Sequence, residues 1–549
     1  MSTNLDTNEV TSDLLDAFTE IVLRYPDRPA IVHHGHAVSY RRLNELANTL
    51  AARLGANPGV VAVQASHTPE TVVGLLGVLA AGGVYCPLDP ALPLHRRQAM
   101  VAAVDCRTLV AAEPGQASRL GLEQVELPAA HPLPTAHPLP TAHQLPAADA
   151  ARDRGDRDRV DPEHPAYTLF TSGSTGQPKP VVTPRRAISA VVHSLRSLFD
   201  LTPEDRTLQF ASLNWDTCFE EILPTLTTGA TLVFDAEAHS GSFPRFLRMV
   251  ERERITVLDL PTAFWHELVL HLAEDQLPLP ACLRLLVIGG EAASPARLAD
   301  WSSLDTGRIR LVNTYGCTET TLITHAVDLH GPQAPAPGWE WDGSTRAPIG
   351  RALPHVVQRI SEQGELLIGG PSVALGYLGL PEATEARFTL VDGERCFRTG
   401  DRVSSAPDGV LTHQGRLDHE IKVRGIRVDP AEVEAHIAGH PGVTAVAVAG
   451  TTIAGRSVLV AYVVPRNCAT VGTLDTELLS YLRERVPGHL VPSRITVVPE
   501  LVLTASGKVD RAGSHQRHAA RPKGTAGQAA AQRATPEQIE SGQVKGDLR

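Results

Sequence analysis

Aromatic side chains make up only 4% of the 549 residues, too few to supply the stacking platforms on which single-stranded nucleic acids lie. Basic residues are outnumbered as well, 50 Lys and Arg against 61 Asp and Glu, for a formal net charge of -11. That balance argues against non-specific binding to nucleic acid or to an acidic membrane surface. No apolar run reaches the roughly 20 residues a membrane span requires. The longest, Val72 to Leu88, is interrupted by Pro87 and reads as a buried helix followed by a strand. The seven cysteines contain no CxxC pair, which removes a disulfide framework or a zinc knuckle and leaves them as buried small residues. The opening MSTNLDTNEVTSDLL lacks the basic start and apolar core of a secretory signal, so a cytoplasmic protein is expected.

What is present is enough apolar material, 42% of residues, for two or more cores in a chain of this length. The predicted fold class is α/β: a large N-terminal layered α/β domain, residues 1–416, with a small C-terminal α+β domain, 417–511, on a hinge. Helix-like and strand-like segments alternate over 11–110 and resume from Tyr167 to Leu411. Between them, about 111–165, the near-repeat HPLPTA, HPLPTA, HQLPAA and the run ARDRGDRDR read as a disordered Pro/His-rich insertion. His131, His137 and His143 recur there without a carboxylate or thiolate to fix a metal geometry. In the small domain, Asp429 as N-cap, Pro430 in the first turn and Gly439 at the end define a helix. The tail, 512–549, lacks an apolar stripe and is expected to be disordered.

The strongest local signal is YTLFTSGSTGQPK, from Tyr167 to Lys179. An apolar strand runs into Thr171, Ser172, Gly173, Ser174, Thr175 and Gly176, which offer hydroxyls and unobstructed backbone N–H groups, with Lys179 as counter-charge. Such a loop can cradle a polyphosphate. It is not a Walker A loop, because GKS or GKT is absent and a second strand intervenes before any helix.

Further motifs follow in a fixed order: LAAGGVYCPLDP (79–90), NTYGCTE (313–319), GELLIGGPSVALGYL (364–378), FRTGD (397–401), GRLDHEIKVRGIRVDPAEVE (415–434) and TASGKVDR (504–511). With them, residues 12–511 resemble the adenylation domains of nonribosomal peptide synthetases, in the superfamily that includes acyl-CoA synthetases and firefly luciferase. The resemblance implies ATP and Mg2+ as cofactors and an attack of a substrate carboxylate on the α-phosphorus. It makes Glu319 the magnesium ligand, Thr318 a contact to the α-phosphate, and Asn313 and Tyr315 part of the nucleotide site, with Tyr315 stacked on adenine. Asp401, assisted by Arg416, would accept the ribose hydroxyls. Lys508 would bridge the substrate carboxylate and the α-phosphate. Asp418 would be the hinge about which the small domain turns, exchanging Lys508 for a face that carries Lys422 and serves thioester formation.

Departures from the pattern are Pro180 after the phosphate loop, Cys317 in place of the usual Pro, and WDTCFEEIL (215–223), where Glu220 takes the place of a bulky Trp. By resemblance Asp216 binds the substrate's α-ammonium. The rest of the pocket is expected from Thr217, Glu220, Thr262, Val287, Gly289, Thr314, Leu322 and Ile323, together with Lys508. Glu220 then reads as the only further ionisable group. Since burying it unpaired is costly, a basic or polar amino acid such as lysine or ornithine is expected. The chain carries no Gly-Gly-x-Ser-Leu segment after Arg511, so a stand-alone enzyme and a separate peptidyl carrier protein are expected. A small MbtH-like protein stays open as a further partner. An acyl-CoA or aryl-acid ligase of the same fold, or a non-catalytic adenylate-binding protein, are the alternatives.

Overall fold

The computed structural model describes residues 12–113, 115–128, 130, 161–171, 178–275, 277–334, 346–417, 421–423, 425–453, 456–466, 473–503 and 509–519. Two large sheets dominate the N-terminal part. In the nine-stranded sheet, Arg310–Gly316, Leu285–Gly289, Val257–Pro261, Arg206–Leu208 and Thr231–Phe234 lie side by side, and the antiparallel strand Ile323–His330 flanks Arg310–Gly316. The seven-stranded sheet places Lys179–Pro184 and Pro165–Thr171 next to Val84–Leu88 and Val60–Gln64. The parallel strands are buried on both faces, which is why they read as nearly unbroken apolar runs. Residues of both sheets and of the helices Tyr40–Leu54, Pro69–Ala80, Arg185–Leu198 and Thr217–Leu226 join one continuous core. Close packing there needs small residues. A Cβ at Gly77 would lie 2.8 Å from Leu50 Cδ2, so the helix Pro69–Ala80 can approach its neighbour only through glycine.

A five-stranded antiparallel sheet, including Glu365–Gly369, Glu394–Ser405 and Leu411–Arg416, follows. The small domain comprises the hairpin Ile421–Val423 and Ile426–Val428, the helices Pro430–Ala438 and Leu474–Arg483, and a three-stranded sheet of Val443–Ile453, Arg456–Pro465 and Arg494–Val497. It has its own core around Val433, Ile437, Val448, Leu459 and Leu478. Asp429 caps its first helix, accepting from Ala431 N as its position ahead of Pro430 requires.

Two sequence expectations need correction. The insertion expected from residue 111 begins later, because Glu123–Glu126 forms a parallel edge strand on Thr108–Ala111 and Ala130 N donates to Glu70 Oε1. The near-repeat itself, 131–148, lies outside the described residues. The tail expected to be disordered from 512 starts as a helix, Arg511–His518, capped by Asp510 and anchored by buried Ser514, whose hydroxyl accepts from Val502 N. The signal missed was the cap and the small buried face. Deleting His131 to Asp149 is expected to leave turnover within about twofold of the full chain, since changing the length of a long connection alters closure entropy little. A folded deletion variant with abolished turnover would contradict this.

Candidate active site

The stems of the phosphate loop are fixed before the loop begins. Thr171 and Lys179 are direct partners in the antiparallel pair of Pro165–Thr171 and Lys179–Pro184. Ser172, Gly173, Ser174, Thr175 and Gly176 lie outside the described residues. Lys179 Nζ sits 5.7 Å from the centroid of the Tyr377 ring, and Tyr377 donates its hydroxyl to Glu319 Oε1 at 2.8 Å. Lys179, Tyr377 and Glu319 therefore form one contiguous row.

Glu319 lies in a single 3-10 turn, Thr318–Thr320, held open by backbone conformation. Thr321 and Leu322 both adopt left-handed φ values of 60° and 61°, rare for residues with branched or bulky side chains. The chain folds back so tightly that a Cβ on Gly316 would lie 1.8 Å from Leu322 O. That is why glycine must stand in the YGCTE run. The buried Glu319 carboxylate can contribute one oxygen ligand to a hard cation.

At the nucleoside end, Tyr315 donates to Asp401 Oδ2 at 2.5 Å, while Arg416 Nη1 and His413 Nε2 lie 2.8 and 3.0 Å from Asp401 Oδ1. Burial alone would raise the Asp401 pKa. The His413 hydrogen bond and the charges of Lys422 and Arg416 carry it well below the usual carboxylate range, so the group is an acceptor at any working pH. Asn313, two residues before Tyr315 on the same strand face, donates to Pro348 O at 2.7 Å. Its Oδ1 is buried without a partner, an acceptor fitting the amino group of adenine.

The expected substrate end comprises the helix Thr217–Leu226 and the sheet beneath it. Asp216 precedes the helix and Glu220 follows by four residues on the same face. Asp216 is half-buried. Burial raises it to about 6 against a Thr318 hydrogen bond, with Glu319 nearby adding to the rise. Thr217 is half-buried beside it. Val287, Leu322 and Ile323 are packed in the main core, and Thr314 donates to Ile288 O at 2.9 Å. Gly289 leaves space for nothing larger, since a Cβ would lie 2.5 Å from Thr314 Oγ1.

Two expectations fail here. Glu220 is not alone: Asp259, in the middle of Val257–Pro261, hydrogen-bonds it from the sheet. Thr262, first residue of the helix Thr262–Asp275, is buried and donates its hydroxyl to Gly289 O at 2.9 Å, tying the helix start to the strand Leu285–Gly289, while Asp259 faces Glu220. The lone carboxylate in the apolar run VLDLP was the signal that could have found it.

The face that the small domain brings to the site is the hairpin. Lys422 Nζ stands 5.4 Å from the Tyr315 ring centroid, Gly425 N donates to Glu291 Oε1 at 2.8 Å, and Arg427 Nη1 lies 3.4 Å from Glu319 Oε2. Gly290 and Gly425 pass so closely that a Cβ on the former would lie 3.0 Å from the Cα of the latter. A pair between Arg96 and the buried Glu432, at 2.9 Å, adds to this seat. Tyr377, His413 and Arg427 were missed in the sequence because each acts through a partner distant along the chain. Lys508 and Asp418 lie outside the described residues.

Residues 18–378 match the AMP-binding enzyme family and 432–508 match its C-terminal domain. The chain belongs to the AMP-binding enzyme family. Its relatives include nonribosomal peptide synthetases, which match most of this chain's length. It is 38% identical over 497 residues to the isonitrile lipopeptide synthase of Streptomyces coeruleorubidus, covering 88% of this chain and 32% of that protein. The dimodular nonribosomal peptide synthase of Bacillus subtilis is 33% identical over 528 residues, 88% of this chain and 21% of that one. The chain thus spans a third or less of these relatives. Among solved structures, a nonribosomal peptide synthetase protein with adenylation and PCP domains aligns at TM-score 0.74 and 25% identity, over 93% of this chain and 86% of its own. The amide bond synthetase McbA of Marinactinospora thermotolerans aligns at 0.75 and 27%, over 91% and 99%. No helix among the described residues is long and apolar enough to cross a membrane.

Proposed function

We propose that the protein activates an amino acid with ATP, forming aminoacyl-AMP and pyrophosphate, and then passes the aminoacyl group to the phosphopantetheine thiol of a carrier protein. In the first step a carboxylate oxygen bonds to the α-phosphorus as the bond to the pyrophosphate oxygen breaks. In the second a thiolate bonds to the carbonyl carbon and AMP leaves. Thr171 and Lys179 hold the loop that receives the phosphates, and the carboxylate of Asp401 takes the ribose. Glu319 would hold Mg2+, which would supply neutralisation of phosphate charge. The hairpin with Lys422 serves the thiol step, and Lys508, after rotation about Asp418, serves the first.

Asp216 carries the amino-acid reading. A carboxylate set into the substrate end with no ion pair to Lys or Arg among the described residues suits an α-ammonium, whereas in an acyl or aryl pocket it would be an uncompensated cost. Glu220, 9% exposed and without an ion pair among the described residues, supports a basic or polar side chain. Glu220→Gln is expected to lower kcat/KM for a basic substrate by roughly tenfold or more, the loss of about 1.5 to 3 kcal/mol of charge-assisted bonding. Loading of a holo carrier protein supplied in trans, read as a mass increase equal to the aminoacyl group, tests the whole sequence. Loading with a carboxylic acid lacking the α-amino group, in preference to its amino acid, would overturn it.

A further inference from the structure

The helix Thr217–Leu226 carries two adjacent buried glutamates with opposite surroundings. Glu221 is fully satisfied: Phe210 N at 3.0 Å, Ala211 N at 2.9 Å and Gln209 Nε2 at 3.0 Å all donate to it, which marks it as a brace for the 209–211 segment. Glu220 faces the other way, onto the sheet. There Asp259 is in register with Val287 of the next strand, and Val287 with Val312, so the three share the sheet face that packs on this helix. Gly289 and Thr314 continue that face two residues on.

Asp259 is 5% exposed, and its Oδ2 is buried with no hydrogen-bond partner. A carboxylate kept for structural reasons would be supplied with donors, as Glu221 is. No Lys or Arg among the described residues makes an ion pair with Asp216, Glu220 or Asp259. Burial, with Asp259 and Asp216 beside it, pushes Glu220 well above its ordinary range. Burial also pushes Asp259 up to about 7, although the hydrogen bond from Glu220 acts in the opposite sense. Two facing buried carboxyl groups with no cation favour a proton shared between Glu220 and Asp259 before substrate binds. The other titratable groups facing the pair are Asp216, Cys218 and Glu221 on the same helix, with Tyr167 approaching Asp216 and Cys218 from the seven-stranded sheet.

We propose that Asp259 and Glu220 together receive a primary ammonium at the far end of the substrate side chain, so that the amino acid activated is a diamino acid whose binding expels the proton the two carboxylates share. This rests on the amino-acid adenylation proposed above and narrows its substrate class. The exchange is balanced in charge and protons: the pair gains one ammonium and releases one proton to solvent, and the ammonium's N–H groups reach the orphaned Oδ2 as well as Glu220. An ammonium is compact enough to take the place of one proton between two touching carboxyl groups, where a planar guanidinium is not. Val287, fully buried below, encloses the methylenes between the two ammonium groups. Asp259 is a specificity-determining residue in this arrangement.

The test is ATP and pyrophosphate exchange by the full chain with ornithine, lysine, arginine, norleucine and leucine between pH 5.5 and 8.5. A diamino acid should be preferred, and its kcat/KM should rise with pH across this range, because binding requires loss of the proton held by the acid pair. Asp259→Asn should reduce that kcat/KM at least about tenfold at pH 8 and flatten the pH profile, while norleucine gains. Calorimetry of lysine or ornithine binding in two buffers of different ionisation heat should show about one proton released at pH 7. Glu220→Gln, carried through the same assays, keeps the test open if Asp259→Asn fails to fold. Exchange driven equally by norleucine or leucine, a preference for arginine over both diamino acids, or a pH profile unchanged in both variants would overturn the acid-pair receptor while leaving amino-acid adenylation standing. No exchange with any amino acid would overturn both.

Discussion

Lys508→Ala is expected to lose at least about a hundredfold of amino-acid-dependent pyrophosphate exchange, with ATP binding largely retained. In the attack of a carboxylate on the α-phosphorus two anions meet, and negative charge accumulates on the non-bridging oxygens and the leaving pyrophosphate. A cation set between carboxylate and phosphate both aligns them and opposes that charge, and removing one such group typically costs about 2.7 to 4 kcal/mol of transition-state stabilisation. On the proposed assignment Thr171, Lys179, Glu319 and Asp401 would hold the nucleotide without Lys508, so the deficit should fall on kcat rather than on KM for ATP. Near-normal exchange by a folded Lys508→Ala protein would remove Lys508 from the chemical step.

The second large effect separates the two half-reactions. Lys422→Ala should reduce carrier loading at least about thirtyfold, equivalent to about 2 kcal/mol, while leaving pyrophosphate exchange within about threefold. Lys422 is already at the site: its Nζ lies over Tyr315, its charge acts on Asp401, and the hairpin that bears it is seated by Gly425 on Glu291 and by Arg427 on Glu319. A face docked in this way belongs to one orientation of the small domain. Equal losses in both half-reactions would show that Lys422 supports the site as a whole and does not distinguish the steps.

The parts of the site that were legible in the sequence are those encoded locally. Strand, tight turn and carboxylate follow one another in NTYGCTE, and Gly316 is demanded by a backbone approach within the same ten residues. The cap at Asp429 and the strand partners Thr171 and Lys179 are likewise short-range. Asp259 was hidden for the opposite reason. Its meaning depends on a helix ending more than thirty residues earlier in the chain, and within its own strand a single Asp among Val and Leu gives no hint of which face it occupies. Thr262 fell in the right neighbourhood with its hydroxyl committed to a carbonyl, a distinction that only the register of Val257–Pro261 against Leu285–Gly289 makes. The late start of the insertion and the helix Arg511–His518 were missed because small residues such as Ala130 and Ser514 gain their burial from distant partners, Glu70 and Val502.

Amino-acid-dependent exchange of labelled pyrophosphate into ATP, run with paired substrates that differ only in the α-amino group, reaches the central claim most directly. Lysine or ornithine should drive exchange, and the matching acid without the α-ammonium should lose at least about tenfold in kcat/KM, because Asp216 is then left unpaired. Exchange as fast with the des-amino acid as with the amino acid, or none with any amino acid, would contradict amino-acid activation by this site.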